Sequence, residues 1–223
     1  VHGIHGSAAA LSVGNGRVYF LPNKEHYVKI GIIQTGAVRN SLAARFGEYP
    51  PMFARMVSPW APDASFETVA LVEGAPLPAP TDADAWIVTG SRHGVYDHAE
   101  VPWIRPLEAW LREARGARSP LIGVCFGHQI LASAFGGEVA KFEGGWRLGR
   151  IGYEAVLRPD WASALPEAPR LHAVHQDQVL TAPSDAALWL TEPGCAHAGL
   201  IYGPPEAPEA ISLQPHPEFD APF

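Results

Sequence analysis

Cysteine is scarce in this chain. Only Cys125 and Cys195 occur among 223 residues, too few for a disulfide scaffold and suited to free thiols in a reducing, cytoplasmic setting. No segment approaches the roughly eighteen uninterrupted apolar residues that a membrane span requires, so no membrane partner is expected. Positive charge is also in deficit: 16 Lys and Arg stand against 23 Asp and Glu, a formal net charge of −7. The phosphate-neutralising attraction behind nucleic-acid binding therefore has no evident source, and no nucleic-acid partner is expected. There is no internal repeat, no low-complexity tract, and no Gly-x-x-x-x-Gly-Lys-Ser/Thr nucleotide loop. The start lacks the basic-then-apolar order of a secretory signal, and residues 1–27 read as a leader or extension of uncertain structure.

What is present is a core. Apolar residues make up 47% of the chain, and the length suits one large domain, placed at residues 28–223. Short apolar runs bounded by Gly, Pro or Asp recur at Val28–Ile33, Thr68–Val72, Ala85–Val88 and Leu121–Val124, the pattern of parallel strands buried on both faces. Between them, Pro102–Arg115 carries Ile104, Leu107 and Leu111 on one helical face, with Gly116 as the expected stop. This alternation predicts an α/β fold, an open and mostly parallel sheet flanked by helices, with working residues at the carboxyl ends of its strands. After about Glu138 strand-like pieces dominate: Arg150–Leu157, Gln178–Thr181, Ala187–Leu190, Leu200–Tyr202 and Ala210–Leu213. An antiparallel-rich second half is expected.

The most informative segment is Leu121-Ile122-Gly123-Val124-Cys125-Phe126-Gly127-His128-Gln129. An apolar strand runs into Gly-x-Cys-x-Gly and then a helical pattern, the thiol version of a strand-to-helix elbow that projects its central side chain outward. Amide N–H groups at the start of the following helix favour a thiolate there. Free cysteine is often simply buried, and this motif alone leaves packing and catalysis about equally supported. A second segment, Gln214-Pro215-His216-Pro217-Glu218, tips the balance. If it is extended, alternation places His216 and Glu218 on one side, where the carboxylate can orient the imidazole.

Together these residues resemble the class I glutamine amidotransferases, whose hallmarks are a Gly-x-Cys-x-Gly-x-Gln elbow and a downstream His-x-Glu. Val88-Thr89-Gly90-Ser91-Arg92-His93 and Gly145-Trp146-Arg147-Leu148-Gly149 resemble the stand-alone branch that includes plant γ-glutamyl peptidases. His175-Gln176-Asp177-Gln178-Val179 is similar to a segment of the glutaminase domain of GMP synthetase. The resemblance implies a flavodoxin-like sheet and a triad of Cys125, His216 and Glu218. It implies an oxyanion hole from the amide of Phe126 and one in the Gly90–Ser91 turn, with Ser91 where many members carry Gly. It offers Gln129, Gly145, Trp146, His175 and Gln176 as substrate-binding residues. It implies a small γ-glutamyl substrate, glutamine or a conjugate, no cofactor, and any ammonia acceptor on a separate synthetase. Members usually continue into a closing helix after the triad Glu, so the domain is expected to be C-terminally truncated.

Other features carry less. Ten histidines invite a metal site, but His172, His175 and Asp177, like His93 and His98, lack zinc-type spacing, and none is assigned. His172 reads as packing, His93 as a surface residue near the pocket, Cys195 as an inert thiol, and Trp86, Trp110 and Trp189 as core. Trp146 reads equally as a pocket wall or a loop packing residue. A non-catalytic binding module of the same fold is disfavoured by the intact Cys, His and Glu. A protease-like relative is disfavoured because the matching His lies 91 positions downstream, from 125 to 216. His128 is expected to matter less than His216.

Overall fold

The computed structural model describes residues 10–14, 17–21 and 27–219, with the backbone alone for 10–21. The expectations of a C-terminal truncation and of a leader over residues 1–27 thus fall wholly or mostly outside the described residues. In chain order the elements are β1 (Ala10–Gly14), β2 (Arg17–Leu21), β3 (Lys29–Ile33), α1 (Asn40–Phe46), α2 (Tyr49–Val57), β4 (Ser65–Val69), β5 (Ala85–Val88), α3 (Ile104–Gly116), β6 (Leu121–Val124), α4 (Phe126–Ala134), β7 (Glu138–Lys141), β8 (Arg147–Gly152), β9 (Glu154–Ala155), β10 (Arg170–His175), β11 (Asp177–Thr181), β12 (Ala186–Glu192), β13 (Cys195–Tyr202) and β14 (Ala210–Leu213).

Eight strands form one sheet in the order β4-β3-β5-β6-β14-β13-β12-β9. Pairing is parallel from β4 to β14 and antiparallel from β14 to β9, which is the mostly parallel first half and antiparallel second half expected from the pattern. The pairs β1–β2, β7–β11 and β8–β10 are separate antiparallel ribbons.

Side chains alternate across the parallel strands, and both faces are covered. Ile30, Ile32, Ile87 and Val124 pack with Phe53 of α2 on one side, while Ile33, Trp86, Val88 and Leu121 pack with α3 and α4 on the other. Trp86 and Trp110 meet edge to face with centroids 5.1 Å apart, and Trp189 is buried in a second cluster with Cys195 and Tyr153. Those residues are core, as their apolar settings in the sequence suggest. Glu108 on the buried side of α3 accepts hydrogen bonds from Arg105 and from Ser133 of α4, tying the two helices together.

Several boundaries differ from expectation, β13 for instance beginning at Cys195 rather than Leu200. The apolar stretch Thr68–Val72 is not one strand: β4 ends at Val69, and Leu71–Glu73 forms a single 3-10 turn closed by Gly74 with φ +89°. Leu71 is nonetheless buried, because apolarity reports burial before it reports conformation. Gly116 is the last residue of α3 rather than its stop, and the left-handed turn residue is Arg118 with φ +59°. The run Arg150–Leu157 is divided at Tyr153: β8 pairs with β10 and β9 with β12, so the two pieces join different sheets.

Candidate active site

β6 and β14 are parallel neighbours with Val124 opposite Leu213. The next residue after β6 is Cys125, and the chain leaving β14 carries His216 and Glu218. Adjacent strand ends thus unite residues far apart in sequence.

Cys125 precedes α4 directly and has φ 56° and ψ −105°. That region of conformational space is occupied almost only by glycine, and a side chain there stores roughly 1–3 kcal/mol of strain. Its N–H donates to the Leu213 carbonyl at 2.8 Å, which pins the elbow to β14. The flanking glycines permit close approach. A Cβ on Gly123 would sit 2.4 Å from the Gly127 carbonyl oxygen, and one on Gly127 would sit 2.1 Å from that of Val88. Phe126 follows as the first residue of α4, so its amide has no acceptor within the helix.

His216 Nδ1 bonds Glu218 Oε1 at 2.7 Å, and both side chains are buried. Burial alone would push the imidazole down. The Glu218 carboxylate and the Cys125 sulfur, by charge and by hydrogen bonding, outweigh it and hold the ring up to about 10. Two rings enclose this arrangement. Phe219 lies parallel to His216 with centroids 4.1 Å apart and planes within 2°, and Tyr49 stacks on both with centroids 6.3 Å away. Burial, then the negative groups at Cys125 and Glu218, push the Tyr49 hydroxyl well above its usual range.

The Gly90–Ser91 turn sits beside this ring: a Cβ on Gly90 would lie 3.1 Å from His216 Cε1. Thr35 Oγ1 donates to the carbonyls of Thr89 and Gly90, while Gly127 N–H donates to Thr89. The turn is therefore tied both to the loop after β3 and to the start of α4. Ser91 Oγ accepts the His93 N–H at 3.3 Å, and His93 meets Trp103, which in turn meets Phe126 edge to face.

The residues expected to hold substrate divide. Gln129 is buried, and its Nε2 donates to the Asp177 carbonyl at 2.9 Å and to Gln214 Oε1 at 3.1 Å, so its amide nitrogen braces α4 against β11. His175 is buried beside His216 with Nδ1 on the Asp177 carbonyl; burial first, then His216, push it down to about 4. Gln176 holds the Phe142 N–H through its carbonyl. Gly145 takes a left-handed turn with φ +84°, and Trp146 beside it is 61% exposed. Among the described residues no hydrogen bond or ring contact joins Trp146 to Cys125 or His216. His172 is half-buried and accepts the His216 N–H on its carbonyl at 2.9 Å. Burial pushes the Cys195 thiol up to about 12, as suits an unreactive cysteine.

Tyr49, Phe219 and Gln214 are not among the residues singled out from sequence. Phe219, three beyond His216 in a Pro-restricted loop, had a local signal; Tyr49 had none, because α2 reaches the site only through packing.

His128 is wholly buried, with Nδ1 on Ser212 Oγ at 2.7 Å, and burial pushes it down to about 3. Folded His128 and His175 stay neutral while their unfolded counterparts protonate below about 6.5. Stability is therefore full above that pH and falls as pH drops toward 4, by roughly 1.4 kcal/mol per pH unit for each ring. Urea midpoints at pH 7, 6 and 5 should drop accordingly, and His128→Asn, which keeps a partner for Ser212, should remove about half the slope. An unchanged slope would refute the assignment.

The chain is similar to known proteins in sequence and in fold. A sequence model of the family described as glutamine amidotransferase class-I matches residues 81–221. Gamma-glutamyl peptidase 4 of Arabidopsis thaliana is 32% identical over 110 residues, covering 47% of this chain and 43% of that one. A glutamine-hydrolysing GMP synthase of Aeropyrum pernix is 31% identical over 103 residues, 44% of this chain and 18% of its own. The chain spans about half the length of the first curated relatives it matches. In fold, a glutamine amidotransferase structure from Thermotoga maritima superimposes with a TM-score of 0.74 at 22% identity, covering 88% of this chain and 79% of that one. Among the described residues no helix is long and apolar enough to cross a membrane. With the family match spanning more than half the chain, the protein belongs to the class I glutamine amidotransferases.

Proposed function

We propose that the protein hydrolyses a γ-glutamyl amide through a Cys125 thioester, with residues 28–223 as its amidotransferase domain. The observation that carries this reading is the buried Cys125, His216 and Glu218 grouping at two adjacent strand ends. Cys125 Sγ, as a thiolate opposite the His216 imidazolium, attacks the γ-carbonyl carbon. An S–C bond forms and the C–N bond breaks as His216 gives its proton to the departing nitrogen, which leaves as ammonia or an amine. Water then adds to the thioester, losing a proton to the neutral imidazole, and glutamate departs as the sulfur regains its electron pair. The amides of Phe126 and of the Gly90–Ser91 turn are the donors proposed to stabilise the oxyanion in both halves.

Glutamine is the simplest substrate, with its ammonia either released or used by a separate synthetase. A γ-glutamyl peptide or conjugate is the alternative. Two buried free thiols suit a reducing, cytoplasmic location. The test is glutamate release by purified protein from glutamine, γ-glutamyl dipeptides and glutathione conjugates. Saturable release from at least one of them is expected; none from any would overturn the reading.

A further inference from the structure

We infer that the solvent face of the β8–β10 ribbon binds the leaving group, and that the leaving group it fits is an amino acid or short peptide with an apolar side chain and a free carboxylate. This rests on the γ-glutamyl hydrolase reading and names its substrate class.

The register fixes which side chains share that face. Leu148 pairs with Val174, Arg150 with His172, and Gly152 with Arg170. Directly opposed residues of an antiparallel pair project to the same side, and alternate residues of one strand do likewise. One face therefore carries Leu148, Arg150, Arg170, His172 and Val174. The other carries Ala173 and His175, which are buried, and Arg147, which holds Glu192 through two hydrogen bonds. On the first face Leu148 is 63% and Val174 44% exposed.

His216 continues this row inward by one position, from the exposed face to a buried ring. It bridges His172 in antiparallel fashion through its own N–H, and both rings lie against Phe219. Arg150, His172 and His216 thus form a row across neighbouring strands. The substituent on the nitrogen that His216 protonates must begin beside this ring and run over its neighbours. Ammonia has no substituent, so hydrolysis of glutamine gives the exposed Leu148 and Val174 pair nothing to cover. An apolar side chain on the leaving amine would cover it.

Charge selects the other half of the ligand. The face holds two arginines and no carboxylate, in a chain of net charge −7. Arg105, Arg115, Arg147 and Arg158 are engaged by carboxylates, and Arg170 donates to the Arg150 carbonyl. The Arg150 guanidinium has no acceptor among the described residues and stands next to His172, within one strand of His216. A planar guanidinium matches a carboxylate in two parallel hydrogen bonds.

The test measures kcat/KM for γ-Glu-Phe, γ-Glu-Phe amide, γ-Glu-Gly and glutamine. Wild type should prefer γ-Glu-Phe to its amide by about tenfold, as expected for a 1.4 kcal/mol contact, and Arg150→Gln should bring that ratio close to one, mainly through KM. Leu148→Ser should lower the preference for γ-Glu-Phe over γ-Glu-Gly by roughly tenfold. Both positions are exposed, and melting curves would verify that both variants fold. Equal losses on acid and amide, or hydrolysis of glutamine without the dipeptides, would overturn this inference and leave the hydrolase reading standing. Failure of every substrate with wild type would overturn both.

Discussion

Cys125→Gly should yield a protein more stable than wild type that releases no glutamate. The two effects have separate origins in one residue. The backbone at Cys125 lies at φ 56° and ψ −105°, which glycine adopts without steric conflict, so the substitution relieves strain and should gain roughly 1 kcal/mol or more. Glycine also loosens the unfolded chain and removes a small buried side chain, so the gain will fall short of the full strain energy. Cys125→Ala retains the strain and should melt near wild type. Both variants lack the sulfur, and turnover should fall roughly a hundred-thousandfold, to what the oxyanion donors and substrate binding alone provide. Melting temperatures and coupled glutamate release measure both. Undiminished release from Cys125→Ala would remove the thioester mechanism, and a Gly variant less stable than the Ala variant would contradict the strain.

Glu218→Gln should cut kcat on the order of a hundredfold to ten-thousandfold and move the alkaline limb of the pH profile down by roughly one to three pH units. Glutamine can still present an oxygen to His216 Nδ1, so the substitution removes the charge and spares much of the orientation. Without the carboxylate, the burial that opposes the imidazolium has only the Cys125 sulfur against it, and the ring deprotonates at lower pH. Because the acylation step needs the proton, activity is lost earlier as pH rises. The stability effect has the same sign. A raised histidine stabilises the fold fully below its unfolded value near 6.5 and loses that contribution as pH rises through about 10, so wild type and variant should differ most near pH 6 and converge above pH 10. Glu218→Ala, which removes orientation as well, should be slower still. An alkaline limb unmoved by Glu218→Gln would mean that another group governs it.

How much could be read in advance varies with the range of the interaction. β5, β6 and β14 match their expected limits residue for residue; β5 and β6 do so because a buried strand writes itself as an apolar run between turn residues, and β14 does so despite the buried Ser212 within it. The Thr68–Val72 stretch did not, since Leu71 satisfies burial from a 3-10 turn as well as from a strand. The elbow was legible because every constraint on it is local: a strand, a helix, and two positions where only hydrogen fits. The pairing of His216 with Glu218 was expected from alternation in an extended segment, whereas the structure reaches it through a turn at Pro217 and Glu218.

Gln129 marks the limit of that legibility. Its place after the elbow was plain, but its hydrogen bonds to Asp177 and Gln214 depend on how β11 and the exit from β14 arrive beside α4. The same holds for Tyr49, delivered by α2 from the far side of the sheet, and for His172, whose carbonyl fixes the His216 backbone.

Periodicity, turn chemistry and motif spacing by themselves determined the α/β class and the strand-to-helix elbow, since each is settled by steric and hydrogen-bonding rules spanning a few residues; the cysteine expected to project outward is instead buried, 6% exposed, in a core cluster with Tyr49 packed against it. Tertiary structure alone decided that β14 lies parallel against β6, which brings the imidazole to the sulfur. It also placed Phe219 and Tyr49 around that ring and laid the β8–β10 ribbon beside it. Contacts between segments remote in the chain depend on the order of strands in the sheet, and strand order is chosen by the burial of the whole core rather than by any one stretch of residues.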